Sequence, residues 1–158
     1  MQAIEGIILK TVRLQESCLI VTLFSKEQGI IGLVVYRGAQ PLSPLMKIEA
    51  EIVTSDKELK KCRHVQAICS FQGLRLSLEK LEYAALFARW ALSEIPRHEA
   101  AGLLYELFDQ QLMALCQESD SHAVAIHFMR SWKQLEGTLS HHDDDTRLLK
   151  QLRVSAIN

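Results

Sequence analysis

The sequence has few of the features that mark metal sites, membrane proteins or secreted proteins. Its four cysteines include no Cys-x-x-Cys pair, and this absence excludes a zinc ribbon and a thioredoxin-type redox motif. No apolar run approaches the roughly 20 residues that a bilayer-spanning helix needs. The N-terminus lacks the basic and apolar segments of a secretory signal. We therefore expect a cytoplasmic protein with free thiols, no metal and no membrane partner.

The common catalytic motifs are also missing. There is no P-loop, no Gly-x-Ser-x-Gly and no His-Glu-x-x-His. The run His-His-Asp-Asp-Asp at 141–145 holds ligand types for a metal-dependent nuclease, but adjacent side chains point apart, which favours an exposed acidic loop. Cys62 lies two residues before His64 without a nearby orienting acid, which favours an inert thiol. We expect no ATP binding, no covalent catalysis and no cofactor, so the protein is interpreted as a non-enzyme.

The composition is that of a folded protein with an uneven charge. Of 158 residues, 48% are hydrophobic and 23% are charged, enough to form a core. The formal net charge is −1. However, residues 1–80 hold 11 Lys and Arg against 8 Asp and Glu, whereas residues 81–158 hold 7 against 11. This asymmetry favours a polyanion-facing first half and a different role for the second.

The hydrophobic period is close to two in the first half. Five strands are predicted, at 7–11, 19–24, 30–36, 46–52 and 64–71. The fourth is the clearest, because Ile48, Ala50 and Ile52 alternate with polar residues. Gly32 predicts a bulge or a tight barrel corner. Residues 55–61 are predicted to form a charged loop.

The period changes to 3.6 in the second half, which predicts four helices. They cover 78–95, 103–115, a segment from about 121 to 139, and a short segment around 148–152. Pro96 ends the first, and Asp120 with its neighbouring serines offers caps for the third. The predicted fold class is α+β, with an OB-type five-stranded β-barrel at 1–76 and a C-terminal α-helical bundle at 77–158. Periodicity alone does not distinguish this barrel from an SH3-like one.

The order of several short segments is similar to that of a known family. These segments lie at 6–10, 16–17, 21–29 and 36–39, followed by Ser43, and the similarity continues at 81–84 and 103–115. Together they resemble RecO, the bacterial recombination mediator and DNA-annealing protein. Many members carry a four-cysteine zinc module that this sequence lacks, so it is interpreted as a short form. At 40–42, Gln-Pro-Leu stands where the family often has Arg or Lys.

The resemblance implies DNA repair and recombination, with single- and double-stranded DNA held on the OB-type barrel. It also implies strand annealing, and loading of a recombinase onto DNA covered by single-stranded DNA-binding protein, in the bacterial cytoplasm and associated with the nucleoid. Binding of this kind needs a basic groove and a stacking surface, for which Tyr36 is a candidate. The candidate DNA-binding cations are Lys10, Arg13, Lys26, Arg37, Lys47, Lys57, Lys60, Lys61 and Arg63. The alternative interpretation is that they are ordinary solvated charges.

The resemblance implies protein partners for the helical half, namely RecR and the acidic C-terminal tail of single-stranded DNA-binding protein. Such a tail requires an apolar pocket rimmed by cations. The candidate residues are Arg89, Trp90, Arg97, Arg130, Trp132 and Lys133. The alternative is that both tryptophans only pack between helices. A protein-interaction adaptor with the same fold and little DNA affinity remains the second functional hypothesis.

Overall fold

The computed structural model describes residues 1–36 and 41–155, which form two compact units. The barrel unit contains Met1–Ser70 together with Ile95–Gly102. The helical unit contains Phe71–Glu94 and the chain from Leu103 onward. The domain boundary after residue 76 stays a prediction.

The barrel unit is built on five strands. They are β1 (Gln2–Gln15), β2 (Cys18–Ser25), β3 (Gly29–Tyr36), β4 (Lys47–Ile52) and β5 (Leu59–Cys69). They close into a barrel in the order β1-β2-β3-β5-β4. Only the β3–β5 pair among these ladders is parallel. The predicted OB-type barrel is therefore confirmed.

The barrel interior is filled by alternate residues of the strands. Ile8, Leu23, Ile31 and Ile48 are completely buried and belong to one apolar cluster. Because side chains alternate between the two faces of a strand, the residues between them point outward. On the outward face, Val12, Ile20, Val34 and Lys61 are exposed or half-buried, whereas Ile7, Phe24 and Ile30 are buried.

The predicted bulge at Gly32 is absent, because the β2–β3 register is regular there, and the alternative of a tight barrel corner stays a prediction. A Cβ atom on Gly32 would lie 2.6 Å from Cδ2 of Leu59, its neighbour on β5. The glycine therefore leaves room for β5 to start beside β3. The irregularities of β1 lie between Ile8 and Lys10 and between Arg13 and Gln15.

Two strands extend beyond their predicted limits. β1 runs from Gln2 to Gln15, because its first half pairs with β4 and its second half continues along β2. β5 begins at Leu59, so the prediction of a loop through residue 61 is wrong. The cause is the parallel pairing of Leu59–Cys62 with β3, a long-range contact that overrides the polar local composition.

The helical unit begins with a short 3-10 helix, Gln72–Leu76. It is followed by α1 (Leu78–Glu94), α2 (Gly102–Gln117), α3 (Ser121–Glu136) and α4 (Asp145–Ser155). The Asp120 carboxylate accepts a hydrogen bond from the Ala123 N–H and caps α3, as predicted. In the core, the rings of Phe87 and Phe128 stack with centroids 3.9 Å apart. Within the described part of the chain, no helix is long and apolar enough to cross a membrane.

Candidate nucleic-acid interface

The outer surface of the barrel unit carries an apolar row across four strands. Strand register places Val12 beside Ile20, Ile20 beside Val34, and Val34 beside Lys61. Neighbouring strands lie about 4.8 Å apart, so the row is roughly 14 Å long. Val12 is 46% exposed. The row is a shallow apolar strip with a cation at one end.

Tyr36 lies at the end of this strip and is 55% exposed. The Lys61 ammonium sits over its ring, 5.7 Å from the centroid. Arg63 is exposed two residues further along β5, and Lys10 is exposed on β1 beside Thr22. We call Lys10, Tyr36, Lys61 and Arg63, together with the apolar row, the strip surface. It combines an aromatic face with cations, as single-stranded nucleic acid requires.

The acidic residues of the barrel strands lie mainly elsewhere. β2 and β3 contain no Asp or Glu. On the ladder between β1 and β4, Glu5 lies beside Glu49, and Glu51 lies beside Ala3. Glu5 and Glu49 thus lie apart from the strip surface, whereas Glu51 pairs with His64, the neighbour of Arg63.

The remaining predicted DNA-binding cations are dispersed. Arg13 lies near the β1–β2 turn and donates to the Glu16 carbonyl at 3.3 Å. Lys26 follows β2 at the end opposite Tyr36, roughly 24 Å away along the strand. Lys47 is only 18% exposed and lies 4.0 Å from the Glu5 carboxylate, and Lys57 is exposed in the β4–β5 connection. The structure thus brings Lys10, Lys61 and Arg63 onto one surface, but not Lys26 or Lys47.

Lys60, another predicted cation, is not part of the strip surface. Lys60 is 9% exposed, lies beside Leu33, and donates from its ammonium to the Ser55 carbonyl. It stabilises the turn into β5. Arg37, another candidate DNA-binding cation, lies outside the described residues. Cys62 follows on the interior face, where burial raises the pKa of its thiol and disfavours the reactive thiolate.

The helical unit contains a cavity of about 920 Å³ bordered by α1, α3 and α4. Trp90 and Glu94 line it from α1, Lys133 and Glu136 from α3, and Arg147 from α4. Burial, with the nearby Glu136 carboxylate, raises the pKa of Glu94. We call this space the tryptophan cavity.

Most of the predicted protein-binding cations are already engaged. Arg130 pairs with Asp145 at 2.9 Å, and Lys133 pairs with Asp143 at 2.9 Å. Arg97 belongs to the barrel unit and lies 3.6 Å from Glu58. Arg89 is exposed on α1. These residues do not form one cationic rim.

The two tryptophans differ in their surroundings. Trp132 is completely buried in the helical core, where its indole N–H donates to Glu136. The Trp90 ring meets it edge-on at 6.4 Å and also lines the tryptophan cavity. Trp132 therefore packs between helices, whereas Trp90 both packs and faces a cavity.

A smaller cavity of about 450 Å³ lies against α4 and the start of α3. His122, Lys150, Arg153 and Val154 line it, and Val154 is 46% exposed. Lys150 makes no ion pair or hydrogen bond within the described part of the chain. We call it the α4 cavity. The sequence analysis missed these residues, although 150, 153 and 154 have the spacing of one helix face.

The polar run at 141–145 connects α3 to α4 through hydrogen bonds and ion pairs, and its side chains do not converge on one point as metal ligands would. The side chain of Asp143 is 2% exposed, and it accepts from the Ser140 N–H at 2.9 Å and contacts Lys133 and Arg147. The Ser140 hydrogen bond, then Lys133, lowers its pKa to about 2. Within residues 1–36 and 41–155, no group of three or more His, Cys, Asp or Glu is placed to hold a metal ion.

Comparison with known proteins gives two findings. Residues 1–71 match the family model described as Recombination protein O N terminal. The DNA repair protein RecO of Nostoc punctiforme is 29% identical over 127 residues, which cover 77% of this chain and 42% of that protein. The chain thus spans about two fifths of that relative's length. The resemblance predicted from the sequence is confirmed, since the barrel residues are similar to the N-terminal part of RecO proteins.

Proposed function

We propose that the chain is a DNA repair protein of the RecO type that binds single-stranded DNA on the strip surface. The observation that carries the proposal is the Lys61 ammonium over the exposed Tyr36 ring, on strands free of acids. A base can stack on Tyr36 while Lys61 and Arg63 contact neighbouring phosphates and Lys10, on β1, contacts a phosphate further along the DNA strand. This is a binding function, and the proposal includes no covalent step.

The experiment compares two charge-reversed pairs of the barrel unit. Lys61→Glu with Arg63→Glu alters the strip surface, whereas Lys26→Glu with Lys57→Glu makes the same change of net charge at exposed sites outside it. Affinity for a labelled oligothymidylate is measured by fluorescence anisotropy from low to physiological salt. We expect the first pair to weaken binding by at least about tenfold and to lower the salt slope by about two.

The second pair of substitutions is the control that tests where the DNA binds. A smaller loss for Lys26→Glu with Lys57→Glu supports the strip surface. Equal losses for both pairs contradict it and indicate only a diffuse attraction to DNA. If the native protein does not bind the oligonucleotide at low salt, the DNA function fails and the adaptor hypothesis is favoured.

We further propose strand annealing, double-stranded DNA binding, recombinase loading and contact with RecR as functions of this protein. They are supported by the similarity to RecO proteins and not by a separate site. In an annealing assay with complementary strands, the Lys61 and Arg63 variant should lose rate in proportion to its affinity. Full annealing by that variant would separate annealing from the strip surface.

The second candidate function is docking of the acidic tail of single-stranded DNA-binding protein in the α4 cavity. The specific observation is that Lys150 and Arg153 meet there beside the exposed Val154 side chain. The two cations fit tail carboxylates, and the apolar floor fits a terminal aromatic ring. The proposal thus places the acidic tail, a partner predicted from the sequence, at Lys150 and Arg153 rather than at the residues predicted to bind it.

A labelled acidic peptide ending in phenylalanine tests this assignment. Lys150→Glu with Arg153→Glu should abolish peptide binding and retain DNA binding, and the Lys61 and Arg63 variant should do the reverse. If one pair abolishes both activities, the two sites are not separate. If the α4 variant binds the peptide normally, the tail does not dock in the α4 cavity.

A further inference from the structure

The tryptophan cavity is built around a repeated pair of residues. Trp90 is followed four residues later by Glu94, and Trp132 is followed four residues later by Glu136. Residues at this spacing lie on the same face of a helix. The two indole rings meet edge-on, with centroids 6.4 Å apart. The arrangement therefore brings two carboxylates, from two helices, to the same cavity beside an aromatic pair.

Both carboxylates stand where a helix is already negative. Glu94 is the last residue of α1, and Glu136 is the last residue of α3. The carbonyl end of a helix carries a partial negative charge, which favours cations and opposes carboxylates. The last turn of α1 contains no basic residue. Two acids and two helix ends thus make one end of the cavity electronegative.

Two of the three cations that line this cavity are bound to Asp143, although Lys133 still lowers the pKa of Glu94 through its charge. Lys133 bonds to Asp143 and to the Gln151 side chain, and Arg147 also contacts Asp143. Lys150, the other lining cation, lies on α4 and also borders the α4 cavity. Glu94 makes no hydrogen bond or ion pair within the described part of the chain.

The indole N–H of Trp90 is a second feature of the cavity that a ligand would have to match, and it carries no charge. It is 9% exposed and lines the cavity, and its indole nitrogen is buried without a hydrogen-bond partner among the described residues. A buried donor without an acceptor is unfavourable, so a ligand that offers an acceptor such as a peptide carbonyl gains affinity. An indole face also attracts cations.

We propose that the tryptophan cavity binds an arginine side chain presented by a peptide segment of a partner protein. The planar guanidinium has five donors, so it can bond to Glu94 and Glu136 together while stacking on Trp90. The peptide backbone beside it can accept from the Trp90 N–H. Binding of this kind is independent of the strip surface and opposite in charge to the acidic tail.

The test uses the full chain and the indole N–H signals of its two tryptophans in nuclear magnetic resonance. The probe is Nα-acetyl-arginine amide, and the matched neutral probe is Nα-acetyl-citrulline amide. We expect a saturable shift of the Trp90 signal with arginine and none with citrulline. Glu94→Gln and Glu136→Gln should each weaken binding by about tenfold, the effect of one hydrogen bond to a charged group.

The control variant is Glu82→Gln, which removes the same charge from an exposed position on α1. It should bind the arginine probe as the native protein does. The proposal is overturned by absence of a saturable shift, by equal shifts with both probes, or by equal weakening in the Glu82 and Glu94 variants. Displacement of the arginine probe from Trp90 by the acidic peptide would also overturn it, by placing the tail in this cavity.

Discussion

Both units of this chain have many cations at their surfaces, but they use them differently. In the barrel unit, Lys10, Lys61 and Arg63 are exposed and make no ion pair within the described residues. In the helical unit, Lys133 and Arg147 both contact Asp143. Lys133 and Arg147 thus help to hold the helical fold, whereas the cations of the strip surface remain available to an external polyanion. This difference in pairing says more about function than the small difference in net charge.

The largest expected effect is a loss of stability in Asp143→Asn, which removes the ion pairs that Asp143 makes in the helical unit. The substitution leaves Lys133 only 13% exposed without its carboxylate and removes the contact with Arg147. A cation that loses its partner in a poorly hydrated position is strongly destabilising. Thermal unfolding followed by circular dichroism should show a clear fall in Tm, with DNA affinity unchanged. Asp56→Asn, an exposed carboxylate of the barrel unit, is the matched control and should leave Tm unchanged.

Lowering the pH should reproduce part of this fall in Tm in the native protein. The pKa of Asp143 is about 2 in the folded chain against an ordinary value of 3.8. Its stabilising contribution is therefore complete above about pH 4 and is lost as the pH falls toward 2. The difference in Tm between the native protein and Asp143→Asn should shrink over that interval. A difference that stays constant down to pH 2 would show that the carboxylate is not the stabilising group.

The next effect concerns the aromatic part of the strip surface. Tyr36→Ala should weaken binding of single-stranded DNA by about 5- to 150-fold, since one base stack contributes about 1–3 kcal/mol. Tyr36→Phe should retain most of the affinity because the ring remains. Neither change should alter the salt dependence, since no phosphate contact is removed. A loss shared equally by the alanine and phenylalanine variants would instead point to the hydroxyl group.

The sequence predicts the elements better than the surfaces. The alternation of Ile48, Ala50 and Ile52 predicts β4, and Asp120 predicts the start of α3, because both signals are local. The inclusion of Leu59 in β5 depends on its pairing with Gly32, which is distant in sequence and is not predictable from local polarity. The same holds for the site. The register and closure of the barrel decide which lysines share a surface. Lys60 and Lys61 are neighbouring lysines in a polar segment of the sequence, but in the structure Lys60 is buried and Lys61 is exposed.

The smallest effect is expected at Glu94, the carboxylate that departs from the pairing seen elsewhere in the helical unit. Glu94→Gln removes a repulsion from Glu136 and an unfavourable charge at the end of α1, and should raise the free energy of unfolding by a few tenths of a kcal/mol. Burial, followed by the Glu136 carboxylate, raises the pKa of Glu94 in the folded state against the opposing effect of Lys133, so the ionised form of Glu94 destabilises the fold. This penalty disappears as the pH falls below about 4, where the carboxyl is protonated in both states.

Urea unfolding at pH 7 and near pH 4 should therefore show a gain for Glu94→Gln at the higher pH only. Glu82→Gln should show no comparable gain at either pH, because that carboxylate lies mid-helix and is exposed. A loss of stability in Glu94→Gln would mean that Glu94 is paired like the other helical charges. The tryptophan cavity would then lose its requirement for an external cation.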